Sequence, residues 1–349
     1  MVSGSLAQRI PKIHLHCHLE GTLRGATFVA LAGKHGVPLR YRRNQSEAAI
    51  LPRVDPADPY RFADFEEFLL TFAAVSRALR EPEDYARLAR EFVEDALAQN
   101  VIYGELFISP TVWTFFNPEL DVRATLEAIA EQLRAARPQA SFTLLADVTR
   151  NFGAGAAMAM VRSIEGMTDL GVVGISLGGD EARFPAHLFA DAFAYARANG
   201  LHCVAHAGEA DGAQSVRDAV ELLRAERIGH GIRALEDPRT VELLATRGVP
   251  LEICPTSNRL TGVALPAYPH PYVELDRGGC VVTIDADDPA IFGTSIEAEY
   301  AIVERVAGPA ALERYVRNAV NATFAGEQEK RAMHQRIDAA TELQAQPRS

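Results

Sequence analysis

Short runs of apolar and β-branched residues alternate along the chain with longer segments of helical periodicity. Eight runs predict buried strands: IHLHCHL near residue 13, VIYGELFI at 101, FTLLADV at 142, VVGISL at 172, LHCVAH at 201, RIGHGI at 227, VPLEIC at 249 and CVVTIDA at 280. Segments between them, such as EPEDYARLAREFVEDALAQN, return apolar residues every three to four positions. This alternation predicts a TIM (β/α)8 barrel, because nearly continuous apolar strands suit a parallel sheet buried on both faces. An open doubly wound sheet is the alternative.

Two segments exceed a minimal barrel. Residues 25 to about 98 separate the first two predicted strands and contain helical periodicity, so we expect a helical lid insertion over the mouth of the barrel. The tail from about residue 297 predicts extra C-terminal helices. With 349 residues, the chain suits one barrel domain spanning residues 1–349. Four apolar residues of the lid segment share one helical face: Phe65, Phe68, Leu69 and Phe72.

Composition narrows the possible partners. The formal net charge of -11 argues against a nucleic-acid surface, and no apolar stretch approaches the roughly 20 residues of a membrane span. The start of the chain shows no secretory signal pattern, so a cytoplasmic location is expected. The four cysteines lie in apolar runs without CxxC spacing, which predicts reduced core residues. Nothing in the pattern assigns an oligomeric state.

Polar residues end several of the predicted strands, where the active sites of this fold lie. In a strand, residues two apart share a face, so His16 and His18 are predicted to point into the barrel, with His14 one layer deeper. His206 ends strand 5 and Asp287 follows strand 8. Together His16, His18, His206 and Asp287 offer the nitrogen and oxygen ligands that zinc prefers, with a further position for water.

Five motifs, in order along the chain, resemble the adenosine deaminase family of the amidohydrolase superfamily. They are PKIHLHCHLEGTLR, HAGE, RIGHGIRA, CPTSNRLTG and DADDPAIFGTS. NAVNATF near residue 318 is similar to a helix of the same family, and the resemblance spans about residues 11 to 330. It implies the barrel fold and hydrolytic deamination of a small purine substrate.

The resemblance also implies residue roles. Glu209 would donate a proton to purine N1, while His230 and Asp288 would partner the attacking water. The backbone N–H of Gly179 would hold purine N3, and Glu20 would face the substrate near its 5' side. The implied zinc ligands are His16, His18, His206 and Asp287, with His18 also beside the substrate.

Hydrolytic deamination at neutral pH requires residues of these types. Displacing an aromatic amine at neutral pH needs a hydroxide, which zinc supplies by lowering the pKa of water from 15.7 to roughly 7. Attack at C6 breaks ring aromaticity unless N1 receives a proton, so a carboxylic acid kept protonated near neutral pH must face N1. Glu209, three residues after His206, suits that role.

Lysine usage bears on the number of metal ions. Some related amidohydrolases bind two metals bridged by a carboxylated lysine of strand 4. The only lysines here are Lys12, Lys34 and Lys330, and none lies near the predicted strand 4. One Zn2+ per chain is therefore expected, although iron or manganese also suits such ligands.

Three departures from the family pattern concern the sugar side of the substrate. Glu20 stands where an aspartate is common, Ser176 where aspartate is frequent, and Asp285 where asparagine is common. ELFISP at residue 105 also lacks an arginine often found in the second strand. These departures weaken the assignment of adenosine, and altered contacts on the 5' side would suit 6-amino-6-deoxyfutalosine, an intermediate of menaquinone synthesis. Glu20 also occurs in the related adenine deaminases, but CPTSNRLTG resembles the nucleoside branch more closely. Adenosine therefore ranks first, 6-amino-6-deoxyfutalosine second and free adenine third.

Two other classes of function remain alternatives. A metal-dependent hydrolase of esters or amides could use the same barrel, but the absent bridging lysine disfavours it. A noncatalytic zinc-binding protein is disfavoured because every position of the deamination machinery is filled.

Overall fold

The structure, a computed structural model, describes residues 4–40, 57–263 and 270–345. Eight parallel strands follow one another around a single sheet in chain order, each hydrogen-bonded to the next. The strands are β1 Lys12–His18, β2 Val101–Ile108, β3 Ser141–Thr149, β4 Val172–Gly178, β5 His202–Ala207, β6 Arg227–His230, β7 Leu251–Ile253 and β8 Val282–Ile284. The predicted barrel is confirmed, and each of the eight observed strands coincides with or overlaps one of the predicted apolar runs.

Helices surround the strands. In chain order they are α1 Leu6–Arg9, α2 Gly25–His35, α3 Phe65–Ala78, α4 Pro82–Ala98, α5 Pro110–Phe116, α6 Val122–Ala135, α7 Gly153–Ser163, α8 Ala190–Ala198, α9 Ala213–Glu221, α10 Pro238–Arg247, α11 Pro255–Leu260, α12 Tyr272–Arg277, α13 Pro289–Phe292, α14 Ile296–Ala307, α15 Pro309–Ala322 and α16 Glu327–Ala345. The last three form the predicted C-terminal helices. None of the described helices is long and apolar enough to cross a membrane.

Local sequence sets where several helices begin and end. The side chains of Asp64 and Asp121 accept the backbone N–H three residues on, which satisfies a free donor at the starts of α3 and α6. Gly36 and Gly248 end α2 and α10 in the left-handed conformation that glycine adopts without steric cost.

The apolar core has two parts. Most of it lies between the barrel and the helices, whereas Phe107, Leu145 and Val204 form a small cluster of their own, contributed by β2, β3 and β5. The four cysteines are free and buried, as predicted. This packing fixes the strands whose carboxyl ends carry the polar residues.

The barrel closes at the seam between β1 and the segment after β8. Cys17 and Asp287 form an isolated parallel bridge. The N–H of His18 donates to the Asp287 carbonyl at 2.9 Å, and the N–H of Asp287 donates to the His16 carbonyl at 3.0 Å. Asp287 thus lies beyond the last residue of β8 but is held against β1 by backbone hydrogen bonds.

A β-bulge in β1 overturns the prediction for His14. The register with β2 shifts between His14 and Cys17, which breaks the two-residue alternation on which that prediction rested. His14 lines a separate cavity with Asp95 of α4 and Ile296 of α14, so its side chain faces the helices. Its Nε2 atom accepts the backbone N–H of Ala286 at 3.2 Å.

Candidate active site

Imidazole nitrogens and a carboxylate converge at the carboxyl ends of the strands. The Nε2 atoms of His18 and His206 lie 3.2 Å apart, and Asp287 Oδ1 lies 3.4 Å from His16 Nε2 and 3.5 Å from His18 Nε2. All four side chains are buried. Within the described residues, His16 Nε2 has no hydrogen-bond partner. A buried set of nitrogen and oxygen donors in which His16 Nε2 is unpaired fits a divalent metal ion.

His230 belongs to the same cluster. Its ligating atom lies within 4.8 Å of those of His16, His206 and Asp287. Both His230 and Asp287 have left-handed backbone conformations, with φ of 61° and 62°. Such conformations are costly for residues other than glycine and persist where the surrounding structure enforces them. The backbone therefore turns sharply at two residues whose side chains point to one centre.

The first histidine is oriented by a buried chain of charges. His16 Nδ1 lies 2.8 Å from Glu252, and Glu252 accepts from Arg227 Nε at 2.5 Å. Arg227 also donates to Glu105 at 2.6 Å. Although burial alone would raise it, Arg227 and His16 hold the pKa of Glu252 below its usual range. A carboxylate on the far ring nitrogen fixes the tautomer of a ligating histidine and increases its basicity.

The other polar residues of the cluster are also oriented by hydrogen bonds. His206 Nδ1 lies 3.1 Å from the Leu177 carbonyl. Asn258 Nδ2 lies 2.9 Å from His230 Nδ1, and the Ser257 hydroxyl donates to Asp287 Oδ2 at 2.6 Å. Asn258 and Ser257 belong to the CPTSNRLTG motif, which explains why that motif accompanies the histidines.

Glu209 faces the centre from the loop after β5. Its Oε2 atom lies 3.7 Å from His230 Nε2, and its side chain is buried. Burial, and then the negative charge of Asp287, raise the pKa of Glu209 well above its usual range. Burial chiefly lowers the pKa of His230 to about 3. Burial thus favours the uncharged form of both groups.

Glu181 holds the loop that carries Glu209. Its carboxylate accepts the backbone N–H groups of Gly208 at 2.5 Å, Glu209 at 3.1 Å, Ala210 at 2.7 Å and Asp211 at 3.0 Å. Four such bonds to one buried carboxylate fix the backbone of the whole turn. Sequence reasoning missed Glu181, which lies four residues after the predicted strand VVGISL.

Asp288 is buried beside Asp287 with both carboxylate oxygens unpaired among the described residues. Burial, followed by repulsion from Asp287, raises the pKa of Asp288 well above its usual range. A Cβ atom on Gly21 would lie 1.9 Å from Asp288 Oδ1, so only glycine fits there. Asp288 lines the cavity in front of the cluster, where the sequence places it.

That cavity has a volume of about 280 Å³ and combines the polar cluster with an aromatic wall. Helix α3 supplies Phe65, Phe68, Leu69 and Phe72, the face noted in the sequence. Further aromatic lining comes from Phe115, Phe116 and Phe152. Such a wall excludes water and suits a flat aromatic ligand.

The two other predicted substrate contacts differ in their placement. Gly179 lines the cavity at a φ of +94°, a conformation that only glycine adopts readily. Glu20 does not line this cavity; it is buried, and its Oε1 atom accepts the Ser109 N–H at 2.8 Å and Trp113 Nε1–H at 2.6 Å. The structure therefore brings Gly179 to the site and places Glu20 behind Ser109.

Asp147 of β3 is a further lining residue that sequence reasoning missed. It stands inside the apolar run FTLLADV, where nothing but its charge distinguishes it. Asp285, a departure from the family pattern, instead supports the framework. Its Oδ1 atom accepts the N–H groups of Leu15 at 2.6 Å and His16 at 3.1 Å.

An eight-stranded barrel with a buried histidine and aspartate cluster at its mouth is the architecture of an amidohydrolase. The chain belongs to the adenosine deaminase family, whose sequence profile matches residues 11–340. It is 34% identical over 336 residues to an adenine deaminase of Rhizobium johnstonii, covering 95% of this chain and 100% of that one. It is 35% identical over 338 residues to an aminodeoxyfutalosine deaminase of Streptomyces avermitilis, covering 95% and 91%. It is 33% identical over 335 residues to an adenosine deaminase of Serratia proteamaculans, covering 94% and 98%.

Solved structures show the same fold. An adenine deaminase from Arthrobacter aurescens matches with a TM-score of 0.86 and 26% identity, covering 95% of this chain and 99% of that one. An amidohydrolase from Burkholderia ambifaria, with bound zinc, matches with a TM-score of 0.84 and 27% identity, covering 97% and 94%. The family is therefore established as a deaminase family, and its members' names include several purine substrates.

Proposed function

We propose that this chain hydrolyses the 6-amino group of an adenosine-like purine nucleoside, releasing ammonia and the 6-oxo purine. The observation that carries the proposal is the buried Glu209 carboxyl 3.7 Å from His230 Nε2, with both residues lining a cavity that has an aromatic wall. Burial raises the pKa of Glu209, which favours its protonated form. Attack at C6 requires a proton on N1, and a carboxylic acid that stays protonated can donate it.

The proposed metal ligands are His16, His18, His206 and Asp287. Their nitrogen and oxygen donors lie within 3.5 Å of one another in the pairs His18–His206, His16–Asp287 and His18–Asp287, which suits one metal ion. The zinc bound to the amidohydrolase of Burkholderia ambifaria supports zinc as that ion. When bound, zinc supplies a hydroxide nucleophile at neutral pH.

The remaining groups act on the substrate and on protons. Glu209 donates a proton to N1. The electron pair that moves from the C6–N1 bond onto N1 as the nucleophile attacks C6 is thereby neutralised. His230 Nε2, 3.7 Å from Glu209, accepts a proton of the attacking water and passes it to the amino group, which leaves C6 as ammonia. The remaining hydroxyl proton at C6 returns to the Glu209 carboxylate as the 6-oxo group forms. Asp288, whose two oxygens have no hydrogen-bond partner among the described residues, orients that water, and the Gly179 N–H faces N3.

Adenosine is our first choice of substrate, with aminodeoxyfutalosine and adenine as alternatives because relatives at 33–35% identity carry each of these names. The test is a panel of adenosine, 2'-deoxyadenosine, adenine, methylthioadenosine and aminodeoxyfutalosine, compared by kcat/KM from the absorbance change near 265 nm and ammonia release. A protein that deaminates none of them and instead cleaves esters or amides would contradict the proposal. The cytoplasmic location stays a prediction.

A further inference from the structure

Asp147 is a buried carboxylate at the wall of the cavity for which the proposed mechanism has no use. The residue is 4% exposed and lines the cavity. Its Oδ2 atom accepts a bond from the Thr149 hydroxyl at 3.3 Å, while Oδ1 is buried and has no partner among the described residues. Although burial raises the pKa of Asp147, the Ser176 hydroxyl of the neighbouring strand also lowers it by hydrogen bonding. Burying a charged group without full pairing is costly, so a carboxylate with only two hydroxyl neighbours on a residue that lines a cavity points to a ligand that completes its pairing.

The charge of Arg150 acts on Asp147, but two of its three guanidinium nitrogens are engaged elsewhere, and Nε has no hydrogen-bond partner among the described residues. Arg150 donates to the carbonyls of Phe184, at 2.9 Å, and of His206. Burial raises the pKa of Asp147 to about 6, so the group is ionised at pH 8 and accepts hydrogen bonds there. A donor on a small molecule in the cavity is then the natural partner of Oδ1.

The order of strands shows which part of a purine lies near this carboxylate. Going around the barrel from β5 through β4 to β3, the lining residues are Glu209, Gly179 and Asp147. The Asp147 carboxylate packs against Gly178, the residue before Gly179, since a Cβ on Gly178 would lie 2.7 Å from Oδ1. The atoms along one edge of a purine run in the order N1, C2, N3, C4 and N9. With N1 at Glu209 and N3 at Gly179, as in the proposed function on which this step rests, the N9 side faces Asp147.

We propose that Asp147 is a specificity residue that accepts a hydrogen bond from a donor at or next to purine N9. The donor is either the N9–H of a free base or a hydroxyl of a sugar attached there. Both have the same chemistry, and the substrates below distinguish them.

The test measures kcat/KM of the wild type and of Asp147→Asn, which keeps the shape of the side chain but removes its charge, at pH 8. The substrates are adenine, adenosine, 2'-deoxyadenosine and 9-methyladenine, with the last lacking any donor at N9. A compound that is not turned over is assayed as a competitive inhibitor. Asp191→Asn, which changes an exposed carboxyl on α8, is the matched control.

We expect Asp147→Asn to lower kcat/KM, or weaken inhibition, about 10- to 100-fold for ligands that donate to it and less than about 3-fold for 9-methyladenine. A loss with adenine indicates N9–H, whereas a loss with adenosine but not with 2'-deoxyadenosine indicates the 2'-hydroxyl. A loss with both nucleosides but not with adenine indicates another sugar hydroxyl.

An equal loss with all four compounds, or no loss with any, would overturn the proposal, because a structural role does not distinguish donors. If Asp147→Asn does not fold, Asp147→Ala is measured against the same four compounds. A wild type that deaminates no 6-aminopurine would instead refute the proposed function, so the two failures are distinguishable.

Discussion

The Nε2 atoms of His18 and His206 face each other at 3.2 Å. Two ring nitrogens at this distance repel unless a proton or a cation lies between them. Asp287 Oδ1, 3.5 Å from His18 Nε2, adds an oxygen donor on the same side. This relationship is the reason to expect a metal ion here.

Metal binding is the first prediction. Purified protein should contain about one zinc ion per chain, and His206→Ala should remove most of it, measured by elemental analysis. Because the ion binds the folded state, chelation should lower the unfolding free energy, by about 2.7 kcal/mol if free zinc was at 100 times its Kd. His187→Ala, an exposed histidine, should retain the metal. Full zinc content in His206→Ala would contradict the ligand assignment.

Glu209→Gln should separate proton donation from metal binding. The amide cannot give its proton to N1, so we expect kcat to fall about 10²- to 10⁴-fold while zinc content stays unchanged. Glu242→Gln, an exposed change on α10, is the control. Full activity with zinc retained would show that Glu209 has no such role.

Glu181→Gln tests whether the loop of Glu209 is held in place by one carboxylate. In the wild type, four backbone N–H groups share the two carboxylate oxygens of Glu181. In the variant one of these oxygens becomes an NH2 group, which faces other donors instead of accepting from them. We therefore expect a loss of about 2–4 kcal/mol in unfolding free energy. Activity should fall more than zinc content. Chemical denaturation and kcat report the two effects, and an unchanged stability would contradict the role.

Glu252→Gln should weaken metal binding although Glu252 is not one of the proposed metal ligands. Since Glu252 supports His16 from the far ring nitrogen, we expect a loss in zinc affinity of about 10- to 100-fold, measured by competition with a chelator. Glu226→Gln, on the ion pair with His202 outside the barrel, should leave zinc affinity unchanged.

The stability of the metal-free and ligand-free protein should depend on the ionisation of Asp147. The pKa of this carboxyl is about 6 in the folded protein against 3.8 as its ordinary value, so the folded state holds the proton more tightly. Stability from this group is complete below pH 3.8 and is lost as the pH rises through about 6, by up to roughly 3 kcal/mol. Asp147→Asn should therefore gain unfolding free energy relative to the wild type at pH 8 but not at pH 4. An identical pH dependence in both proteins would contradict this.

Much of this architecture could be predicted from the chain. The eight strands are visible because both of their faces are buried, which leaves continuous apolar runs such as VIYGELFI. His16 and His18 are visible because they interrupt such a run at its end. The aromatic face of α3 was equally visible, although periodicity alone does not distinguish a core face from a cavity wall.

The features that were missed depend on geometry that no local pattern encodes. His14 was placed wrongly because a bulge adds one residue to β1, and a single insertion reverses the face of a side chain. Asp147 and Glu181 sit in ordinary strand and turn contexts, and their roles follow only from neighbours on other strands. Glu20 was expected at the substrate, but Trp113 and Ser109, about 90 residues further along the chain, occupy one of its oxygens.

The seam between β1 and Asp287 also limits when the site can form during synthesis. Its two sides are joined by hydrogen bonds between residues 270 positions apart, such as Asp285 and Leu15. A ribosome delivers His16 and His18 well before His206 and Asp287, so a nascent chain carries only half of the proposed ligand set until residue 206 has been made. The full ligand set exists only after residue 287 has been made, and products truncated before it would lack the site.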